Sequence, residues 1–296
     1  MTRFVFLSDT HIGTTPIEFQ QQPAYSERMA DILDALNAWI ERDGNIDFIL
    51  HGGDMLNEVA PDHIRRAAAL FDRFSTPVYL CLGNHDLTEP DALSWWLEEV
   101  PQFFPEGQPN FVIDHDGARI CVMPNQWDSP PWLWTDVQRP HFAPDQLAWL
   151  ESVSADTSAP ATRMFVTHSP VLAVPQDQTG LSEPLHTPQA SFRDEVQGLV
   201  ASWPTLQCVV GAHSHITTCT EHDGMRYVTS SAFAEAPFEF KLFEIDADTV
   251  RMTTHSLAND VDFHWRYDFG KTWVQGRPCD RQFRSTRDED SALQHS

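Results

Sequence analysis

An α/β fold, with helices covering a largely parallel or mixed sheet, is predicted by three features of this sequence. Short apolar runs rich in β-formers recur along the chain, amphipathic helical stretches alternate with them in the first half, and strand-like runs with hairpin signals follow one another in the second. The first run, Arg3 to Ser8, contains Phe4-Val5-Phe6-Leu7 and reads as a buried strand. Glu27 to Ile40 follows with apolar positions at Met29, Ile32, Leu33, Leu36 and Ile40, the spacing of one helix face. Ile46 to His51 is strand-like, Asp62 to Phe74 helical and Val78 to Leu82 strand-like again. Asn110 to Ile113 and Arg119 to Met123 predict two more strands, and Pro144 to Glu151, with Leu147 and Leu150, a helix. Met164 to Thr167, Leu206 to Gly211, Arg226 to Ser230 and Phe240 to Ile245 complete the strands. From Cys208 onward strand-like runs follow one another, with Asp223-Gly224 as a turn, so this part of the sheet is antiparallel or mixed.

Pro101 to Pro109, Pro124 to Pro144 and Pro170 to Pro188 read as long ordered loops. Phe263, Trp265, Tyr267, Phe269 and Trp273 mark an extended segment that packs on the domain. The polar end, Arg281 to Ser296, reads as frayed, and no internal repeat is present.

A chain of 296 residues, 41% of them hydrophobic, can build a sizeable core. Its formal net charge of −24, from 43 acidic and 19 basic residues, argues against long nucleic acid as a partner. No window approaches the roughly 18 apolar residues of a membrane span, and Met1-Thr2-Arg3 leads directly into the first strand without a signal-peptide pattern. Cys81, Cys121, Cys208, Cys219 and Cys279 are scattered without a C-x-x-C pair, which reads as reduced thiols in a cytoplasmic protein.

The residues that carry chemistry are Asp9-x-His11, Gly53-Asp54, Gly83-Asn84-His85-Asp86, His168 and His213-x-His215. Each fragment alone is weak, since a D-x-H or a lone histidine occurs in many chains. Their position changes that. Every cluster directly follows an apolar run, ending at Leu7, Leu50, Leu82, Val166 and Val210 respectively, so the clusters should converge on one rim of an α/β sheet, where such folds place their sites. Imidazole, carboxylate and amide ligands without thiolates suit Mn, Fe, Zn or Ni, and their number fits two ions sharing a bridge with positions left open.

These blocks, in this order, resemble the calcineurin-like metallophosphoesterases, whose pattern is D-x-H, G-D, G-N-H-D/E, H and G-H-x-H. The match runs from residue 9 to 215, about two thirds of the chain. It implies two divalent or mixed-valence metal ions, one held by Asp9, His11 and His215, the other by Asn84, His168 and His213, with Asp54 bridging them. His85 is implied as the group that contacts the scissile phosphate and protonates the leaving group, and Asp86 as its orienting partner. A hydroxide bridging the metals is the implied nucleophile. The fold implied is a four-layer α/β/β/α sandwich of two mixed sheets, one domain over residues 1–256 with a C-terminal extension over 257–296 that ends in disorder. Gly211-Ala212-His213 departs from the family's glycine before the first histidine, a strained change if that position needs positive φ.

The G-N-H-D form resembles small cytoplasmic phosphodiesterases, including the cyclic-nucleotide branch, and points to a small phosphodiester substrate. The alternatives are a phosphomonoesterase or protein phosphatase on the same site, a nuclease, and a non-catalytic scaffold. Outside the motif, His51 reads as a packing residue, whereas His186 sits in a loop within possible reach of substrate. Among Trp95, Trp96, Phe103, Phe104, Trp127, Trp132 and Trp134, loop packing and a substrate pocket weigh equally.

Overall fold

Alternation decides the architecture. In the computed structural model, which describes residues 1–13, 20–156, 158–246 and 248–286, strands carry apolar side chains on both faces and therefore lie between two layers. In chain order the elements begin β1 (Thr2–Leu7), α1 (Met29–Asp43), β2 (Phe48–His51), α2 (Pro61–Phe71), β3 (Val78–Leu80) and α3 (Ala92–Glu99). They continue β4 (Phe111–His115), β5 (Ala118–Val122), α4 (Pro144–Ala155), β6 (Ala161–Val166), α5 (Gln176–Thr179) and α6 (Ala190–Ser202). The remainder is β7 (Cys208–Gly211), β8 (Thr218–His222), β9 (Met225–Thr229), β10 (Glu239–Ile245), β11 (Thr249–Ser256) and β12 (Gln282–Thr286).

Two six-stranded sheets result, in the orders β12-β11-β10-β1-β2-β3 and β4-β5-β6-β7-β9-β8. In the first, β1, β2 and β3 are parallel and β10, β11 and β12 extend it antiparallel. In the second, β5, β6, β7 and β9 are parallel, with β4 and β8 antiparallel at the edges. Ile120, Val122, Met164, Val166, Cys208, Val210 and Val228 join the core that also holds β1, α1 and α2. Their neighbours Cys121, Phe165, Val209 and Tyr227 face the other way, onto Leu150 of α4 and Phe192 and Val196 of α6. This is the four-layer sandwich, and the predicted turn at Asp223-Gly224 joins β8 to β9.

The expected frayed end is corrected over Gln282–Thr286, which pairs with Thr249–Thr253 and closes the first sheet. Residues 287–296, also expected to fray, lie outside the described residues. Phe263, Trp265 and Tyr267 pack on the core in an extended segment without sheet pairing, whereas Phe269 is 83% exposed. Helices α3 and α6 lack a clean apolar stripe and were not predicted from the sequence. Trp96 of α3 is nevertheless completely buried, with its Nε1–H on the Asp86 carbonyl.

Candidate metal centre

Parallel pairing of β1, β2 and β3 brings their carboxyl ends side by side, which places Asp9 and His11, then Asp54, then Asn84 and His85 along one edge. Adjacent β6 and β7 do the same in the second sheet for His168, His213 and His215. The clusters therefore meet across the ends of two sheets, not on the rim of one. Backbone bonds lace the loops together: Asp9 N–H to Gly53 O at 2.9 Å, His11 N–H to Asp54 O at 3.1 Å and Ala212 N–H to His168 O at 2.8 Å.

Asp9, His11, Asp54, His213 and His215 all have φ between 42° and 63°, in the left-handed region. Non-glycine residues held there carry local strain that the surrounding structure must outweigh, a pattern concentrated at functional sites. Ala212, completely buried, is not among the positive-φ residues, so replacing the family's glycine places no strain at that position. Gly53, at φ +109, and Gly83 are required for close approach: a Cβ on Gly53 would meet His168 Nδ1 at 2.3 Å, and one on Gly83 would meet Asp54 Oδ1 at 2.2 Å.

Donor atoms gather in three overlapping groups: Asp9 with His11 and His215, Asp54 with His168 and His213, and between them His11 with Asp54 and His85. No cysteine belongs to any of them. His11 Nε2 and His215 Nε2 are 3.1 Å apart, and Asn84 Oδ1 is 2.9 Å from His213 Nδ1. The Asp9 carboxylate is fully buried with no hydrogen-bond donor on either oxygen, although His215 Nε2 stands 3.4 Å from Oδ1. His168 Nε2 has no hydrogen bond either and lies 3.3 Å from Asp54 Oδ2. Buried anionic oxygens without donors are the environment a cation completes. Imidazole, carboxylate and amide donors converging in this way fit a pair of divalent ions sharing Asp54.

The surrounding groups fix tautomers and charge. Burial depresses His168 and His215, but Asp54 beside the first and Asp9 and Glu235 beside the second outweigh it and hold them up at about 9 and about 10. Burial pushes His11 and His213 well below the usual imidazole value and His51 down to about 3. Burial opposes ionisation of Asp54 as well, yet His168 and His85 hold it well below the usual carboxylate value. The Nδ1 atoms of His168 and His215 donate to Gly52 O at 2.8 Å and Glu235 Oε1 at 2.7 Å, leaving each Nε2 directed at the cluster.

His85 lies edge-on to His11, ring centroids 4.8 Å apart, and its N–H donates to Asp54 Oδ1 at 2.8 Å. Asp86 is the expected orienting partner of His85. His85 Nδ1 is 2.8 Å from the Asn57 carbonyl, whereas the Asp86 oxygens accept Leu56 N–H at 3.0 Å and Gly83 N–H at 2.9 Å. Asp86 thus ties the Asp54 loop to the Asn84 loop, and burial together with the Asp54 carboxylate raises it to about 7. His51, read as packing, is a buried strut: Gly53 N–H donates to its Nδ1 at 3.2 Å, and its Nε2 is 3.1 Å from the Thr10 hydroxyl.

Glu235 escaped the sequence reading. It is buried and accepts Gln21 N–H, Gln22 N–H and His215. Its only signal was a lone acidic residue inside the apolar stretch Phe233-Ala234-Glu235-Ala236-Pro237.

Over the donor groups opens a cavity of about 600 Å³ lined by, among others, Asp54, Asn84, His85, His213, Trp127 and Trp134. The aromatic group therefore divides. Trp127 and Trp134 stand against His213 and His85, at 4.9 and 4.7 Å between ring centroids, whereas Trp95, Trp96, Phe103, Phe104 and Trp132 pack in or on the core. His186 also lines the cavity.

The sequence model of the calcineurin-like phosphoesterase family matches residues 2–217. No curated protein sequence matches the chain. Among solved structures it is similar to a dimetal phosphatase from Danio rerio, with TM-score 0.65 and 16% identity, covering 86% of this chain and 96% of that one. It is also similar to GAP50, the anchor in the inner membrane complex of Plasmodium, at 0.58 and 11%, covering 99% and 94%. A 5'-nucleotidase from Candida albicans gives 0.54 and 15%, with 99% of this chain covering 57% of that one. At these identities the likeness is one of fold.

Proposed function

The chain belongs to the calcineurin-like phosphoesterase family, which makes it a metal-dependent phosphoric ester hydrolase, and from that premise we propose that it cleaves a small phosphodiester at a dinuclear centre. One metal would be held by Asp9, His11 and His215 and the other by Asn84, His168 and His213, with Asp54 shared between them. The observation that carries this reading is that two donor groups meet side by side next to His85 at the floor of one cavity. When bound, the metal pair supplies Lewis acidity toward the phosphoryl oxygens and makes water nucleophilic near neutral pH.

The chain's own residues do the rest. Glu235 and Gly52 O aim two imidazoles, and the glycines at 53 and 83 let the Asp54 and Asn84 loops close on each other. His85 delivers a proton to the departing alkoxide. With its Nδ1 held 2.8 Å from Asn57 O, the protonated ring would give its proton through Nε2. Asp86 positions the loop that carries it.

Diester over monoester is supported by charge. Among the described residues the cavity lining contains neither lysine nor arginine, so no permanently charged side chain there receives the second negative charge of a monoester. The net charge of −24 supports a small substrate over long nucleic acid. Five free thiols support a cytoplasmic setting, and among the described residues no helix is long and apolar enough to cross a membrane.

The test is hydrolysis of bis(p-nitrophenyl) phosphate and p-nitrophenyl phosphate side by side, with Mn²⁺ and with chelator, for wild type and His85→Ala. Metal-dependent turnover that favours the diester is expected. Preference for the monoester would move the protein to the phosphatases, and no turnover with metals bound would leave a scaffold.

A further inference from the structure

The wall of the cavity differs in chemistry from its floor. Beside the metal-binding groups the cavity is lined by the Trp127 and Trp134 indoles, the neutral amides of Gln21, Gln138 and Gln189, the His186 imidazole and the exposed carboxylate of Asp136. None of the described lining residues is lysine or arginine. Arg139 belongs to the neighbouring cleft on the other side of Trp127, with Asp128 and Val137.

Charge then limits what can be esterified. Two divalent ions with Asp9 and Asp54 sum to about plus two, which one phosphodiester anion offsets in part. Farther from the floor, a phosphate or carboxylate carried on either ester group would face Asp136 and the field of a strongly acidic chain, with no lysine or arginine among the described lining residues to receive it. An uncharged group meets aromatic and amide surface there. An ammonium gains both the Asp136 carboxylate and an indole face.

We propose that the substrate is a phosphodiester whose phosphate is its only anionic group, both ester groups being uncharged or cationic, as in alkyl, glycerol-like or amino-alcohol esters. The inference rests on the phosphodiesterase reading and narrows it.

The experiment uses the metal-loaded protein and p-nitrophenyl phosphodiesters whose second ester group is ethyl, 2-(trimethylammonio)ethyl, 2-carboxyethyl or 2-phosphoethyl. The first two should be cleaved with kcat/KM values within a few-fold of each other, the last two at least about tenfold more slowly. That gap should shrink as salt rises from about 0.05 to 0.5 M. Asp136→Lys should narrow it severalfold, and Arg139→Ala should leave it unchanged. Titration calorimetry of the matching dialkyl phosphates, ethyl methyl against 2-carboxyethyl methyl, onto metal-loaded His85→Ala should give the same order of affinity. Equal or better use of the carboxylate or phosphate substrates, or an unmoved ratio in Asp136→Lys, overturns this inference while metal-dependent cleavage of the ethyl diester leaves the phosphodiesterase reading standing. Failure to cleave any of the four sinks both.

Discussion

Replacing Gly83 by alanine tests how closely the two metal loops must approach. The added Cβ would lie 2.2 Å from Asp54 Oδ1 and 2.4 Å from the Asp54 backbone nitrogen. Ordinary contact begins near 3.4 Å, so the loops must separate by 3.4 − 2.2 = 1.2 Å. Neither side is free to give: Asp54 Oδ1 accepts His85 N–H, Gly83 N–H is held by Asp86, and the Asp54 carbonyl accepts His11 N–H. A shift of about 1 Å at a reacting centre costs roughly two orders of magnitude in rate, so kcat/KM for bis(p-nitrophenyl) phosphate should fall about a hundredfold or more. Metal content measured on the purified protein should fall with it. Gly198→Ala is the matched control. It sits exposed in α6 with nothing within 4 Å of the added carbon, so activity should be unchanged and stability should rise by about 0.5–1 kcal/mol from helix propensity. A Gly83→Ala protein with kcat/KM within threefold of wild type and a full complement of metal would refute the reasoning.

Further outcomes follow from the groups behind the ligands. Glu235→Gln keeps the shape of the side chain but removes the anion that orients His215, so metal affinity at the first site should drop about 10- to 100-fold in a competition titration; unchanged affinity would mean that the geometry alone suffices. Chelation should lower the melting temperature, because the fully buried Asp9 carboxylate then lacks its cation, and metal at a hundredfold excess over its Kd is worth about 2.7 kcal/mol. Identical melting curves with and without chelator would speak against the assigned site. His51 stays neutral in the folded protein down to about pH 3, whereas unfolded it takes up a proton near 6.5, so its contribution is full above pH 6.5 and is lost as pH falls toward 3. For metal-free protein that is about 2 kcal/mol at pH 5, and His51→Asn should flatten the pH dependence of stability in that window by about 1.4 kcal/mol per unit. Parallel curves for the two proteins would count against the shift.

By itself the sequence determined the fold class, the strands that carry the site and the types of side chain that converge there. It could do so because Asp9, Asp54, Asn84, His168 and His213 each sit two to four residues beyond a buried apolar run, and parallel strands align their carboxyl ends without help from distant residues. Tertiary structure alone decided how those strands divide between two sheets, since an apolar run does not encode its partner. It also decided what stands behind each ligand. His85 is oriented by a main-chain carbonyl, which every residue possesses and no sequence pattern marks, and His215 by a glutamate brought from a loop twenty residues away. The chemistry of the cavity wall was equally hidden, because Gln21, Trp134, Asp136 and His186 come from separate loops whose meeting depends on how the whole sandwich closes. Local pattern fixes which groups lie at strand ends, and long-range packing fixes what surrounds them.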